Sequence, residues 1–456
     1  MLRVRFSVVL LILATAAHAA PSRPPRYLAM LTSGERLEDD RLRNWHSTGA
    51  MPHLGTKSLL EPGNPFRWLR FRGRQPAEIP TAYVEMINGD RLPGVVVDYR
   101  GGGESNDRTV SPHLVVRVAL GFEPPDNKPV PEIRVLTQFV RRIIWQRREA
   151  IVYQPGSARY RDGRSQAFRA VRHKSGESHV LLEDGDLSID WDDLAELHLP
   201  AVDPWEVWME QLSALCPTSD TRLLQAETTT GLIVTASTAR FSARFEGNSA
   251  EPDRWVHGLA PVWSLDILWI PLRDVTVYRS FAQNEVPLSR ISPQQASGRD
   301  GLEKARPLQI DRSVQGTVLQ NRDSEFGWGF GVSGGTELVF DLPSGARSLR
   351  TAMCLDKSAE DGGCIRPRIL SRGERDEVLW EGPVIVGSDK TVDSGVIDLA
   401  TTNWADRKLV LQIDAVLTGQ PRGADPLDIR DHANWCDPLL EIDTANRNLR
   451  SLSNGK

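Results

Sequence analysis

Four groups of residues have types that could do chemistry. Gly331-Val332-Ser333-Gly334-Gly335 fits the G-x-S-x-G pattern of a nucleophile elbow, which needs a strand, a sharp turn and then a helix. An alternating strand pattern follows Gly335 instead, so Ser333 is expected to be a turn residue. The nine histidines are scattered, with no HExxH or other i,i+4 metal pair. His46 and His53 lie close together but lack a frame of carboxylates and read as surface residues. Paired carboxylates for acid–base hydrolysis meet in space rather than in sequence, and none of the 60 Asp and Glu residues is singled out by spacing. Phosphate-loop and dinucleotide fingerprints are missing. No catalytic residue, metal ligand or cofactor is therefore assigned.

The fourth group is the cysteines, Cys216, Cys354, Cys364 and Cys436. Cys354 and Cys364 flank a polar loop, Leu355 to Gly363, between two apolar segments. A disulfide stapling a hairpin is the expectation, and closing so small a loop contributes up to about 3 kcal/mol in the entropic picture. Zinc is the alternative, but no CxxC or paired histidine accompanies the two. Cys216 and Cys436 either pair or remain buried thiols.

These residues sit in a chain of 456 residues, 40% apolar and 25% charged. The length allows roughly two to four domains. A formal charge of −5 argues against a nucleic-acid partner, which usually needs a basic face. Arg3 and Arg5 precede an uncharged 12-residue run, Phe6 to Ala17, and an Ala17-His18-Ala19 site. That pattern predicts a signal peptide over 1–19, and the run is shorter than the roughly 20 residues a spanning helix needs. A secreted or periplasmic location, with no transmembrane segment, is expected.

Helical periodicity is confined to Asp203–Leu212, with Asp203 as N-cap, Pro204 in the first turn and Glu206 completing a capping box. Elsewhere short strands alternate with Gly, Asn, Asp and Pro clusters, the pattern of an all-β protein. A loose repeat runs through the first 280 or so residues. Ala82–Val97 is strand, Asn-Gly-Asp turn, strand; Asp186–Leu197 resembles the close of such a unit; Arg222–Tyr278 repeats the logic. Ser33–Leu37 begins a partial copy. Units of this length suit small SH3-like or Sm-like barrels, or together form one irregular sandwich. The expected segments are β-repeat regions over 28–148 and 150–200, a short helix plus a third repeat region over 201–282, a sandwich over 284–445, and a disordered tail over 446–456.

The last third carries period-two strands, Thr336–Pro343 and Lys408–Ala415 among them, which bury one face as in an antiparallel sandwich. Three motifs occur there in order: Pro287-Leu288-Ser289, then Trp328-Gly329-Phe330-Gly331-Val332 with Glu337-Leu338, then Asp431-His432-Ala433-Asn434-Trp435. In these the segment from about Glu285 to Asp443 resembles the NPCBM family of carbohydrate-binding modules. The resemblance implies a galactose-binding-like β-sandwich (jelly roll) on an exported protein, often beside glycoside hydrolases. The family's histidine after Gly-Val is Ser333 here.

For a sugar ligand, rings cover the apolar faces of a pyranose while carboxylates and amides bind its hydroxyls. Trp328, Trp435, Asp356, Asp431, His432 and Asn434 supply these types near loops, against a competing role as core staples and turn caps. Trp205, Trp208, Trp263 and Trp269 lie in apolar patterns and are expected in the core. The reading is an exported, non-catalytic carbohydrate-binding protein whose partner is a polysaccharide or glycoconjugate. Two alternatives accompany it: an envelope structural or protein-interaction protein whose sandwich binds no sugar, and a glycoside hydrolase-associated protein with its active site in the first 280 or so residues.

Overall fold

The turn-forming clusters do punctuate strands: in the computed structural model the runs between them pair antiparallel along nearly the whole chain. The structure describes residues 23–105, 108–122, 130–147, 153–297 and 306–444. The signal peptide over 1–19 and the tail over 446–456 lie outside the described residues.

The repeat resolves into four units, 27–71, 83–144, 157–198 and 223–281, two of them within the segment expected over 28–148. In each unit the last strand returns beside the first: Phe66–Phe71 on Tyr27–Leu31, Val140–Ile144 on Tyr83–Met86, Leu194–His198 on Ser157–Tyr160, and Val275–Phe281 on Leu223–Thr228. In three of the units the middle strands form a separate three-stranded meander. In the 83–144 unit the long strand Arg91–Arg100 serves both halves, pairing with Tyr83–Met86 and with His113–Phe122. This is the small-barrel arrangement expected.

A 3-10 turn launches the last strand in three units: Thr137–Phe139, Trp191–Asp193 and Leu272–Asp274. Each turn buries one large apolar side chain, Phe139, Trp191 or Leu272, and the first residue of the strand donates its N–H back to the turn. The units then join in pairs through their last strands, Val140–Ile144 to Leu194–His198 and Val275–Phe281 to Phe66–Phe71. The first unit thus pairs with the fourth. The single rung Ile233↔Arg91 links the two pairs into one sheet running from Ser165–Ala167 to Arg36–Asp39.

Residues from Glu285 onward form a sandwich of two six-stranded sheets. Gly329–Ser333, Ala346–Leu355 and His432–Ile442 lie in one sheet, and Glu337–Phe340, Cys364–Arg372 and Lys408–Asp414 in the other. The alternation read from sequence holds: Leu338, Phe340, Leu409, Leu411 and Ile413 are buried between the sheets.

Helix Pro204–Leu215 starts where the capping residue predicts, with the Asp203 side chain accepting from Trp205 N. Its apolar face covers more than the repeats that flank it in sequence: Val207 packs into the repeat core, while the rest of the face reaches the sandwich. Trp205, Trp208, Leu212 and Leu215 share one apolar cluster with the sandwich residues Trp328, Phe340 and Leu342, and with Trp68 and Phe281 of the repeats. Sandwich, helix and repeats therefore enclose a common core.

Candidate functional site

The Asp431–Trp435 motif opens strand His432–Ile442 at one end of the sandwich, and pairing fixes what each residue faces. His432 lies opposite Ser333, and Asn434 opposite both Cys354 and Gly331. Asp356 accepts at Oδ1 from the backbone N–H (3.0 Å) and hydroxyl (2.5 Å) of Ser358, and at Oδ2 from Asn434 Nδ2 at 3.2 Å. His432 Nδ1 lies 3.1 Å from Ser358 Oγ and 3.4 Å from Gln315 Nε2. Three of the residues singled out from sequence, Asp356, His432 and Asn434, are therefore brought into one network. Asp431 sits beside them with a different task. Its Oδ1 accepts from Cys364 N at 2.6 Å, which ties one sheet to the other.

All four of these side chains are buried, and the network reaches solvent through Gln315 and Ser358, which sequence reasoning missed. Arg306 extends the rim by donating to Gln315 Oε1 at 2.7 Å and, from its backbone, to Ser333 Oγ at 3.2 Å. Ser333 is the last residue of strand Gly329–Ser333 rather than the turn residue expected. The turn is Gly334-Gly335, and because the element after it is strand Glu337–Phe340, not a helix, no nucleophile elbow forms. The loops bordering the network hold Glu360, Val416, Leu427 and Arg430 at positive φ, strain that side chains adopt only where their surroundings enforce it.

Two expectations are corrected here. Trp328 is 1% exposed and Trp435 0%, so neither indole has a free face for a pyranose. Trp328 packs edge-on against Phe281 at 5.0 Å and donates from Nε1 to Pro438 O, while Trp435 lies between the sheets. The glycines around Trp328 serve close backbone approach rather than a ligand. The second correction is the Cys354–Cys364 disulfide. The polar loop between them carries the chain from one sheet to the other, so the two cysteines end on different sheets. Cys354 instead faces Cys436, with sulfurs 3.6 Å apart, and the cysteines are free thiols. Burial and its neighbour Cys354 raise the Cys436 thiol well above its usual range. Under a mild oxidant we expect a Cys354–Cys436 cross-link, read by peptide mass mapping; a Cys354–Cys364 peptide would contradict this geometry.

A cleft of about 2030 Å³ lies between the second and third units, the start of the helix and the sandwich. No sequence motif marked it. Its floor residues Glu227, Arg290, Asp311 and Arg312 belong to a buried network of charges whose centre, Arg279, lies behind the lining. Arg279 donates to Glu227 at 2.9 Å, to Gln225 at 3.0 Å and to Gly327 O at 2.7 Å, and approaches Asp311 at 3.5 Å. Arg290 pairs with Asp311 and Arg312 with Glu227. Glu85 binds Arg142 at 2.7 Å and Arg141 at 3.2 Å. Burial alone would raise Glu227 and Glu85, but the guanidinium groups beside them prevail and hold each carboxyl at about 2. The visible signal was a lone Glu inside an apolar strand, as in Tyr83-Val84-Glu85-Met86.

His257 is buried between Tyr278 Oη and Trp45 O, at 2.8 and 2.7 Å, and burial lowers it to about 4. It is a core residue. No group of three or more metal-ligating side chains occurs among the described residues.

Comparison with solved structures returns carbohydrate-binding modules of Clostridium perfringens. A CBM51 module from a family 95 glycoside hydrolase, in complex with methyl-galactose, is 18% identical with a TM-score of 0.27, over 34% of this chain and 99% of that one. The second CBM51 module with INT domains from ZmpB, in complex with GlcNAc, is 19% identical with a TM-score of 0.28, over 46% of this chain and 43% of that one. The ZmpB M60 catalytic domain with both its CBM51 modules is 13% identical with a TM-score of 0.26, over 81% of this chain and 38% of that one. This chain thus spans less than half the length of the two ZmpB structures. Comparison with curated proteins returns no match. Residues 284–441, the stretch that folds as the two-sheeted sandwich, match the model of the NPCBM/NEW2 domain, and the carboxyl-terminal third of the chain carries a domain of that family.

Proposed function

We propose that the protein is an exported, non-catalytic glycan-binding protein whose NPCBM-type sandwich is the recognition module. The observation that carries the reading is the match over 284–441. It coincides with a loop end where Gln315 and Ser358 stand on a buried Asp356–Asn434–His432 network. Hydroxyl and amide groups held by a buried network suit the hydroxyls of a neutral sugar, because the network fixes their orientation before the ligand arrives. Its partner is a polysaccharide or glycoconjugate met after export.

The test uses the full chain, because a fragment from 284 onward would bare the apolar face that the helix covers. Calorimetry against neutral galacto- and N-acetylglucosamine oligosaccharides should show binding that weakens about tenfold in Ser358→Ala, the loss of roughly one net hydrogen bond. Unchanged affinity in Ser358→Ala and Gln315→Ala would remove the loop end as the site.

A second reading, an envelope structural or protein-interaction protein, is favoured by one observation. Ser333 stands where the resembled family has histidine, and no aromatic face from Trp328 or Trp435 replaces it. Failure to bind any glycan, with recovery of an envelope protein by the full chain, would select it.

A further inference from the structure

The cleft floor holds more cationic groups than its own carboxylates match. Glu85, Glu196, Glu227 and Asp311 line it together with Arg141, Arg142, Arg290 and Arg312. Arg91 is additional to these. Its guanidinium lies over the Tyr83 ring at 5.3 Å, and its Nε is buried without a partner. Among the described residues it has neither a hydrogen-bond acceptor nor a carboxylate within ion-pair distance. Arg91 is partly buried and lies opposite Glu85 across its strand pair, yet its buried Nε has nothing to donate to. Such a donor is costly, and a fold keeps one where something else supplies the acceptor. Arg147, half-buried in the same wall, likewise donates to no side chain of the described residues.

The opposite rim has the other polarity. Asp203, Glu206 and Glu210 of the helix start line it. Asp341 also lines the cleft but is held by Lys408, which is not among the lining residues. A uniform polyanion would suit the arginine wall and be repelled by the helix rim. A ligand bearing both carboxylates and free hydroxyls meets the two walls at once. Its carboxylate accepts forked N–H donation from a guanidinium, and its hydroxyls donate to the acidic rim. At about 2030 Å³ the cleft exceeds the roughly 300–1,000 Å³ of single small-molecule sites, which favours an oligomer over one sugar.

We infer that the cleft between the repeat units and the sandwich is a second ligand site, meeting the loop end at Arg306, that takes a carboxylate-bearing glycan with Arg91 and Arg147 as its carboxylate contacts. The inference deepens the proposed function and rests on that reading. It also gives the repeat units a part in recognition.

The experiment is calorimetry on the full chain with an oligogalacturonate of about six sugars and with its methyl-esterified form, which keeps the backbone and removes the charge. The acid should bind at least about tenfold more tightly, the gain of one charge-assisted contact. Arg91→Gln and Arg147→Gln should each erase that preference, and Ser358→Ala should leave it intact. Thermal unfolding checks that the variants fold; Arg147→Gln, at a half-exposed position, carries the test if Arg91→Gln does not. Equal binding of acid and ester, or retention of the preference in Arg147→Gln, overturns the site. Dextran sulfate competing as well as the acid would also overturn it, because charge alone would then explain the binding. If neutral oligosaccharides bind through Ser358 while oligogalacturonate does not bind, the cleft assignment fails and the proposed function stands. If no glycan binds, both fail together.

Discussion

Arg279→Ala is expected to lower the unfolding free energy by about 3–5 kcal/mol, the cost of removing one partner from a buried ion pair. The guanidinium is 1% exposed and holds Glu227 of its own unit, Asp311 of the sandwich segment and the carbonyl of Gly327. Its loss leaves the buried Glu227 with Arg312 alone as ion-pair partner and removes one of the polar ties between repeats and sandwich. Urea unfolding at pH 7 measures the effect, and a loss below about 1 kcal/mol, ordinary for a surface residue, would refute it. Replacing Glu227 by Gln in the same chain should recover part of the loss, since the under-paired carboxylate is then gone.

Acid dependence gives the same network a second readout. The folded-state values of Glu85 and Glu227, about 2 against a usual 4.5, are depressed. Their contribution is therefore fully present above pH 4.5 and is lost as pH falls towards 2. In Arg279→Ala the part carried by Glu227, left with Arg312, should shrink in that interval, while the part carried by Glu85, which binds Arg141 and Arg142, should persist in full.

Gly329→Ala is expected to be as damaging, again by about 3–5 kcal/mol, or roughly 10 °C in melting temperature. Gly329 adopts φ +138°, and a Cβ there would stand 1.9 Å from Trp435 O. Strand Gly329–Ser333 could not then pair with His432–Ile442. Gly395→Ala separates the two causes, because φ is +66° but nothing lies within 4 Å. It should cost only the roughly 1–2 kcal/mol of the left-handed conformation. Similar melting temperatures for the two variants would show that the close approach to Trp435 is unimportant.

The strands and their buried faces were legible because alternation is a local signal: Leu338 and Phe340, or Leu409, Leu411 and Ile413, each declare one inward face. So were the helix start at Asp203 and the ordered sandwich motifs. Pairing between distant strands leaves no such trace, and nothing around Phe66–Phe71 marks Val275–Phe281 as its neighbour. The cysteine expectation failed for a related reason. Nearness in sequence suggested a hairpin, whereas the loop from Leu355 to Gly363 crosses between sheets. Trp328 and Trp435 misled because a tryptophan beside glycines looks the same whether its ring is covered or bare. The cleft stayed hidden because each arginine, taken alone, resembles a solvated surface charge. Only the fold gathers Arg91, Arg279 and Arg290 against Glu227 and Asp311.

The main path of the long sheet that joins the four units has two end strands, apart from the branch through His113–Phe122 to Val130–Leu136, and those ends bear on how the chain behaves at high concentration. A row of unpaired backbone groups is a template for another copy of the same sheet, and proteins blunt such rows with short strands and charges. Here one end is Ser165–Ala167, three residues long, and the other is Arg36–Asp39, four residues with three charged side chains. Arg36 is ion-paired along its own strand to Glu38, and Glu38 is also held from the side by Arg72. A second molecule docking edge to edge would have to break these pairs for only a few hydrogen bonds. The same architecture that strings four small barrels into one sheet therefore blunts both ends of that path against edge-to-edge pairing.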